Sequence, residues 1–514
     1  MPKNNHNHDR RGNRNNDRDR NGGDRNGGDR NGGSFDLEER ARMAMLEAGF
    51  PVDLPKAARR QVEALQANFT PDGGGQEIRD MRSLPWSSID NDDSLDLDQI
   101  EYAEKDGEDI RIFVGIADVD ALVPNDTPVD DFAMKKTTSV YTGVKVFHML
   151  PEELSTDMSS LRKSEDRLAV VVELTVPPDG EARLNGIHRA LVNNKAKLTY
   201  DRLGDWLSGE RDIPSAFHAV EGLEEQIRLQ NEAAERLQAY RQRAGMLDFE
   251  TIEARPVMSD GKVVDMAVAH KNQARLIIEN LMIAANTCTA KLLASSGRAA
   301  IQRVVDTPKR WDRIVDLAAQ HGGYLPDSPN AKALSAFLRK ARTQDPERFP
   351  DLSLAIVKLL GRGEYAVVRP GENGGHFGLA VHNYTHSTAP NRRYPDVISQ
   401  RLVKAVLDEN NPPYSENDLA VLAAHCTERE DAANKVERLM RKVAAAVMLQ
   451  EKIGEVFEGI ITGASFKGTW VRVKHPAVEG KVVKGERGMD VGDKVRVRLV
   501  GADPDTGHVD FARA

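Results

Sequence analysis

The chain has few of the residues that mark disulfide-stapled, zinc-binding or membrane-spanning proteins. Only two of its 514 residues are cysteines, Cys288 and Cys426, and each lies in an apolar context typical of helices. They provide neither a disulfide framework nor a zinc pattern, so we expect buried thiols in a reducing cytoplasm. No stretch approaches the roughly 20 apolar residues of a membrane helix, and no secretory signal opens the chain. We therefore expect a cytoplasmic protein without a membrane partner.

An excess of positive charge is also missing. The net charge of −9 argues weakly against a protein that coats nucleic acid, although local basic patches can still bind phosphate. The length leaves room for about three domains. A hydrophobic content of 40% is enough to build cores in most of them.

The most informative feature that is present is an acidic run at residues 90–98. Its sequence, DNDDSLDLD, places five carboxylates within nine residues, after Trp86 and Ile89 and before an apolar strand. Such a setting is not typical of a solvated charge run. Carboxylates this close raise each other's pKa unless a divalent cation compensates them, and their hard oxygen atoms select magnesium, manganese or calcium over zinc. The run therefore predicts a metal site.

A calcium-binding loop is the alternative interpretation of this run. With Asp90 as position 1, oxygen-bearing side chains fall at the positions that an EF-hand requires, namely Asp92, Ser94, Asp98 and Glu101. Position 6, which needs glycine for a sharp turn, is Leu95, and a helix should follow the loop. Instead, residues 100–116 alternate around a turn at 105–108 and predict a β-hairpin. This context favours a catalytic metal site.

A second segment, residues 376–396, has the sequence HFGLAVHNYTHSTAPNRRYPD. Its adjacent arginines, Arg392 and Arg393, are bracketed by Tyr384, Pro390 and Tyr394, which is not typical of a surface. A planar guanidinium is suited to binding phosphate through two hydrogen bonds. Metal-binding carboxylates together with such an arginine indicate phosphoryl transfer.

The two ends of the chain predict different accessory parts. Residues 1–34 repeat Asp-Arg-Asn-Gly-Gly three times and hold no core-forming residue, which predicts a disordered tail that either solubilises the protein or contacts RNA weakly. Two amphipathic helices follow, the second with Asp53 as its expected cap, and the pair is similar to a helix-turn-helix. Beyond residue 451, five short strands predict an OB barrel. Its Phe466, Trp470 and Arg472 suit base stacking and phosphate attraction, unless the rings belong to the barrel core.

Taken together, these segments resemble the ribonuclease II family, whose catalytic domain is called RNB. The resemblance rests on the run at 90–98, on the segment 376–396 and on shorter matches such as GIADV at 115–119, and it spans roughly residues 84–514. We predict an α+β protein with four parts, which are a disordered tail (1–34), a helix-turn-helix-like module (35–75), a mixed α/β RNB catalytic domain (76–450) and a five-stranded OB β-barrel (451–514).

The resemblance implies an exoribonuclease that degrades RNA processively from a single-stranded 3′ end. The implied reaction is hydrolysis to nucleoside 5′-monophosphates with magnesium, or alternatively manganese, and we expect a monomer. By the match of motifs, Asp90, Asp96 and Asp98 are metal ligands, and Asp98 is the most critical for cleavage. Arg392 matches the arginine that contacts the scissile phosphate, and Tyr141 matches an aromatic that holds the 3′-terminal bases. Further RNA contacts are expected from Arg393, Phe466, Trp470 and Arg472.

Several positions depart from the family pattern. Gln99 stands where the family has a fourth aspartate, so we expect one metal to be held more weakly or through water. Ser387 and Asn391 are atypical within the arginine segment. About 50 residues separate the tail from the acidic run, too few for the two OB barrels of many relatives, so we expect an entrance that admits structured RNA with a 3′ overhang. The alternative function is a non-catalytic RNA-binding regulator whose site has decayed at Gln99.

Overall fold

The computed structural model describes residues 35–70, 78–250, 254–268, 271–372 and 374–514. The predicted tail, residues 1–34, lies outside the described residues, as does the glycine run 73–75 that follows the predicted helical module. Residues Leu37–Ala514 form a single compact unit. The domain boundaries given above stay predictions.

Two helices open the described chain where the sequence places them. These are α1 (Leu37–Glu47) and α2 (Lys56–Asn68). Helix α1 packs against the long helix α12 (Glu416–Leu449), and α2 packs against α3 (Pro128–Lys136). The predicted cap of α2 is wrong, because the helix begins after Pro55 without a side-chain cap. The Asp53 carboxylate instead accepts a hydrogen bond from Arg42 of α1 at 3.4 Å.

A mixed sheet of seven strands forms the centre of the part predicted as the RNB domain. Its strands are β1 (Arg79–Asp80), β2 (Ser87–Asp90), β3 (Gln99–Asp106), β4 (Asp109–Ala117), β7 (Asp166–Val176), β8 (Arg183–Asn193) and β9 (Ala196–Thr199). Their order across the sheet is β1-β8-β7-β4-β3-β2-β9, with β1–β8 and β2–β9 parallel and the other pairs antiparallel. The predicted hairpin is confirmed as β3–β4, whose turn contains Gly107 in the left-handed region. The acidic run therefore lies in the connection between β2 and β3.

Helices of different lengths cover this sheet and complete the hydrophobic core. They are α4 (Tyr200–Leu207), α5 (Ser215–Ala219), α6 (Leu223–Ala244), α7 (Gln273–Ser295) and α11 (Tyr394–Leu407). Among the described helices, α7 alone is long and apolar enough to cross a membrane by length and composition. Of its most apolar window, 67% is buried inside the protein, as in the core helix of a folded domain. Such a helix is weak evidence for a membrane span, and the expectation that no stretch approaches this composition was too strong.

Smaller elements border the sheet and its helices. Three two-stranded antiparallel sheets pair β5 (Val140–Tyr141) with β6 (Val146–Phe147), β10 (Ala254–Ser259) with β11 (Lys262–Val268), and β12 (Ala300–Val304) with β13 (Glu364–Val368). A helical group with its own buried core consists of α8 (Trp311–Gln320), α9 (Ala331–Gln344) and α10 (Phe349–Leu360). Helix α10 also contacts the C-terminal barrel, because Asp351 accepts hydrogen bonds from Arg472.

The last 60 residues close into a five-stranded barrel, as the sequence predicts. The strands are β14 (Val456–Ser465), β15 (Gly468–Val473), β16 (Val478–Lys484), β17 (Lys494–Asp503) and β18 (His508–Arg513). They close in the order β14-β15-β16-β18-β17. Phe457 belongs to the barrel core and meets Phe511 edge-on, whereas Phe466 is 97% exposed at the β14–β15 turn. The OB architecture is confirmed, and its aromatic side chains divide between core and surface.

Candidate active site

The acidic loop is held in shape by its own polar side chains and by a lysine. Asp90 ends β2, and its Oδ1 accepts hydrogen bonds from the backbone N–H of Asn91 and from the hydroxyl of Ser94, at 2.7 and 2.8 Å. The ammonium group of Lys197 donates to the carbonyl oxygens of Asp92 and Ser94. These hydrogen bonds fix the turn of the acidic loop, because the carbonyl groups of Asp92 and Ser94 and the carboxylate of Asp90 all have donors.

The end of this loop is fixed from the opposite side. Ser160 accepts from the backbone N–H of Leu97 at 3.0 Å and donates to the carbonyl of Leu95 at 2.6 Å. The carbonyl of Asp98 accepts from the N–H of Ala117, at the end of β4, at 2.9 Å. These bonds orient the Asp98 carboxylate into the protein, where the residue is only 1% exposed.

The arginine segment is anchored on both flanks. Ser139 donates its backbone N–H to the carbonyl of Arg392 at 3.0 Å, and the N–H of Tyr394 donates to the carbonyl of Thr137 at 2.8 Å. Asp396, in the first turn of α11, accepts from the N–H of Ala389 at 2.8 Å. The two arginines therefore lie in a turn with a defined backbone, directly before a buried helix.

The two segments meet at Asp98. Its Oδ1 accepts the backbone N–H of Asn391 at 2.8 Å, and its Oδ2 accepts Nε–H of Arg392 at 2.9 Å. The side chain of Asn391, atypical for the segment, is fully buried and its Oδ1 accepts from the hydroxyl of Ser159 at 2.7 Å. Asn391 thus fixes the arginine turn to the acidic loop through backbone and side chain alike. Arg392 itself keeps 43% of its side chain exposed.

Electrostatics at this contact are unbalanced. Burial raises the pKa of Asp98 to about 7, an effect that the Arg392 guanidinium opposes and the neighbouring Asp96 carboxylate reinforces. Tyr141 donates its phenol hydrogen to Oδ2 of Asp96 at 3.0 Å, while the residue is 41% exposed. Arg392 is therefore the positive charge that faces both the Asp96 and the Asp98 carboxylates. A bound cation would stabilise the ionised form of these two acids.

The structure joins four of the predicted site residues in two hydrogen-bonded pairs and separates others. Tyr141 donates to Asp96 and Arg392 donates to Asp98, and Asp90 begins the loop that carries both aspartates. Arg393 binds Asp396 at 2.8 Å instead of contacting this group.

The predicted barrel contacts have different surroundings. Phe466 is exposed, Trp470 is half-buried, and Arg472 forms a two-bond ion pair with Asp351 at 2.8 and 3.2 Å. The guanidinium of Arg472 therefore has a carboxylate partner inside the protein, and a phosphate would have to displace it.

Carboxylate oxygens are suitable ligands for a hard divalent cation, but the described side chains are not yet arranged as a complete set of ligands. Across the described ranges, no group of three or more His, Cys, Asp and Glu side chains is arranged to hold a metal ion. Asp98 uses both oxygens on Asn391 and Arg392, as described above. Close by, however, the carboxylate of Glu101 is fully buried, and neither of its oxygens has a hydrogen-bond partner in the described structure. All of these donors are hard oxygens, which suit magnesium and manganese.

Sequence reasoning missed two groups beside the loop. Glu101 entered it only as a position in the calcium-loop count, and Tyr200 was given no role. Tyr200 begins α4, and Arg275 of α7 stacks on its ring at 4.3 Å while donating to the Asn91 side chain at 3.1 Å. The available signal for Glu101 was its spacing of two from Gln99, which places both side chains on one face of β3.

A cavity of about 860 Å³ lies apart from this group, between α2 and α11. Its lining includes Asp120, Arg401 and Lys404. These side chains pair with one another at 2.8 and 3.1 Å. The carboxylate and arginine site therefore does not coincide with this cavity.

Comparison with known proteins identifies the class of this fold and site. The family model described as RNB domain matches residues 78–409, and the model described as RNase II-type exonuclease C-terminal S1 domain matches residues 455–514. The first match covers more than half of the chain, so the chain belongs to the RNB-domain family. RNB nucleases depend on a divalent metal.

Its relatives include proteins named Ribonuclease R. It is 29% identical over 491 residues to Ribonuclease R 1 of Lactococcus lactis, covering 89% of this chain and 59% of the relative. To Ribonuclease R of Escherichia coli it is 29% identical over 501 residues, covering 90% and 60%. The chain thus spans about six-tenths of the length of these curated relatives.

Solved structures share the fold. The apo form of Mycoplasma genitalium RNase R superimposes with a TM-score of 0.83 at 21% identity, covering 93% of this chain and 78% of that one. The same enzyme in complex with double-stranded RNA gives 0.81 at 22% identity, covering 93% and 84%. Yeast Ssd1, described as a pseudonuclease, gives 0.66 at 16% identity, covering 90% and 57%.

Proposed function

We propose that this chain is a processive hydrolytic exoribonuclease that degrades RNA from the 3′ end to nucleoside 5′-monophosphates, with magnesium or manganese as its cofactor. The observation that carries the proposal is the direct bond between Arg392 and Asp98, with Tyr141 bound to Asp96 beside it. Metal-binding carboxylates, a phosphate-binding arginine and an aromatic ring are the groups that cleavage at a terminal phosphodiester requires. The relatives named Ribonuclease R support the same reaction.

In this proposal Asp90, Asp96 and Asp98 hold the cation. When bound, magnesium supplies the positive charge that lowers the pKa of an attacking water and stabilises the departing 3′-oxygen. Arg392 keeps Nε on Asp98 and, being 43% exposed, offers the rest of its guanidinium to the scissile phosphate. Because Asp98 orients this arginine, charge that grows on the phosphate meets a donor that needs no further rearrangement.

Tyr141 and the barrel are proposed to position the RNA. The Tyr141 ring is 41% exposed beside the carboxylates, so a 3′-terminal base stacked on it places the last phosphate near Arg392. Phe466 is almost fully exposed, and the ammonium of Lys467 lies 5.8 Å from its ring centre. An aromatic ring next to a positive charge on an OB barrel suits single-stranded nucleic acid.

We further propose that the enzyme accepts structured RNA with a single-stranded 3′ overhang. Mycoplasma genitalium RNase R, which shares this fold, has been solved in complex with double-stranded RNA. A duplex with a 3′ overhang and the same duplex with blunt ends form the matched pair of substrates. Faster degradation of the overhang substrate is expected, and equal rates would contradict this part of the proposal.

The main test uses two labels on one single-stranded RNA. With body label and magnesium, thin-layer chromatography should show nucleoside 5′-monophosphates. With a 5′ label, radioactivity should stay in shortening RNA until a small final product appears. Excess unlabelled RNA added after the start should leave the engaged molecules degrading, since a processive enzyme does not release them. EDTA should stop every product.

The outcomes separate the competing functions. An intact body label with retained RNA binding would indicate the non-catalytic regulator, as in a pseudonuclease. Internal fragments from the 5′-labelled RNA would indicate an endonuclease. Monophosphates released with the 5′ label lost first would indicate the opposite direction of attack.

A further inference from the structure

Glu101 is a buried acid without a visible partner. It lies in β3, is 0% exposed, and neither carboxylate oxygen accepts a hydrogen bond from any described residue. An ionised carboxylate in such a position is strongly destabilising unless a proton or a cation neutralises it. Within the described chain, no salt bridge joins Glu101 to a lysine, arginine or histidine. The described part of the protein therefore leaves this charge uncompensated.

The surroundings of Glu101 are those of the metal site. Its pKa lies well above the ordinary value because of burial and, in addition, the Asp90 carboxylate. Tyr200 adjoins the same two acids, since burial followed by Asp90 and Glu101 raises the pKa of its phenol. Asp90 thus disfavours the ionised form of Glu101, and a cation at the start of the acidic loop would compensate both charges.

Strand geometry connects Glu101 with the departure at Gln99. The two residues are separated by one position in β3, so their side chains lie on the same face of the strand. By its resemblance to the ribonuclease II family, the chain should have an aspartate at position 99, and the neutral Gln99 removes that acid. This face of β3 therefore still has an acidic side chain, but it is at position 101 and not at position 99.

We propose that Glu101 supplies the fourth carboxylate of the metal site in place of Gln99, sharing a divalent cation with Asp90. The inference rests on the proposed function, because it concerns the cation of the same reaction. On this proposal, the loss of the acidic side chain at Gln99 is compensated by Glu101, two residues further along the strand.

A competing account keeps Glu101 as a protonated acid of the core. Ser87 lies opposite it in the β2–β3 register, and the Ser87 hydroxyl is likewise buried without a partner in the described structure. A neutral carboxylic acid next to this hydroxyl would need no metal. The two accounts differ in what manganese binding does when the acid is removed.

The test measures Mn²⁺ affinity of the full chain without RNA, by electron paramagnetic resonance of free Mn²⁺ and by the Mn²⁺-dependent rise in melting temperature. Glu101→Gln should bind Mn²⁺ at least about tenfold more weakly and lose most of that rise. Its melting temperature without metal should equal or exceed that of the parent, since a buried charge is removed. Gln99→Asp in the Glu101→Gln background should restore Mn²⁺ affinity.

Glu104→Gln is the matched control, because this acid lies in the same strand but pairs with Arg111 at 2.7 Å. It should leave Mn²⁺ binding unchanged. Equal Mn²⁺ affinity of the parent and Glu101→Gln would overturn the assignment of Glu101 alone. No Mn²⁺ binding by the parent would overturn the proposed metal-dependent function as well. If Glu101→Gln fails to fold, Glu101→Asp decides, because withdrawing the carboxylate by one methylene should weaken Mn²⁺ binding and an unchanged affinity would refute the proposal.

Discussion

Replacing Asp98 by asparagine tests the contact at which the two halves of the site meet. The amide keeps the size of the side chain and can still accept the backbone N–H of Asn391 through its oxygen. Its NH₂ group would then face Nε–H of Arg392, so two donors would oppose each other where a charge-assisted bond of 2.9 Å now lies. A hydrogen bond to a charged group contributes about 1.5–3 kcal/mol, and a metal ligand is lost as well.

We therefore expect Asp98→Asn to lower the single-turnover rate of RNA cleavage at least about a hundredfold, equivalent to about 2.7 kcal/mol in the transition state. RNA affinity, measured by fluorescence anisotropy, should change little, because the stacking contacts proposed for the Tyr141 and Phe466 rings do not use the Asp98 carboxylate. Stability should change by less than about 1 kcal/mol, since the partly exposed Arg392 can turn to water.

Asp93→Asn is the matched control, because Asp93 is exposed in the same loop. It should retain the parental rate. Cleavage by Asp98→Asn within a few-fold of the parent would refute the assignment of Asp98. A large loss of RNA affinity would show instead that the substitution disrupts the site as a whole.

Three further predictions concern other parts of the protein. Phe466→Ala should weaken binding of single-stranded RNA by about 1–3 kcal/mol without lowering the melting temperature, because the ring is 97% exposed. Asp351→Asn should destabilise the barrel against α10 by about 1–3 kcal/mol, measured by limited proteolysis and melting, because it breaks the partly buried pair with Arg472. His376 has a pKa lowered to about 4 by burial and by Arg303, so stability should fall as the pH drops from about 6.5 to about 4, by at most about 3 kcal/mol.

Each of these predictions has a control or a result that would contradict it. Exposed Val500→Ala in the barrel should leave RNA affinity unchanged, and an unchanged affinity of Phe466→Ala would remove that ring from the RNA path. A proteolysis pattern of Asp351→Asn identical to the parent would mean that the ion pair does not secure the barrel. His376→Gln should flatten the loss of stability between pH 6.5 and 4. The sign follows because the unfolded histidine binds a proton that the buried one rejects.

The parts of the fold that follow from local patterns could be predicted from the sequence. The β3–β4 hairpin, the two helices α1 and α2 and the five barrel strands all have the expected type, because each is set by the spacing of apolar residues and turn residues along one segment. The acidic loop and the arginine segment were likewise found from composition within a single stretch.

What escaped prediction depends on contacts between distant segments. The partner of Arg472 is Asp351, which lies 121 residues away, so nothing near Arg472 reveals that its charge is already paired. The surroundings of Glu101 depend on the order of strands in the sheet and on α4. Tertiary partners decided both cases against the local pattern. Asp53 fails as a cap for a local reason, because α2 begins after Pro55 and Asp53 therefore lies two residues before the capping position.

The bond between Arg392 and Asp98 also has a consequence for the time at which a new molecule becomes active. Its two residues are 294 positions apart, so at about 5–20 residues per second a ribosome needs about 15 to 60 s to pass from one to the other. Throughout that interval the acidic loop exists without its arginine. Ribosome-bound chains stalled before Asn391 are accordingly expected to leave RNA intact. Under the proposed function, the messenger RNA in the ribosome would therefore meet no complete active site until the arginine segment has been translated.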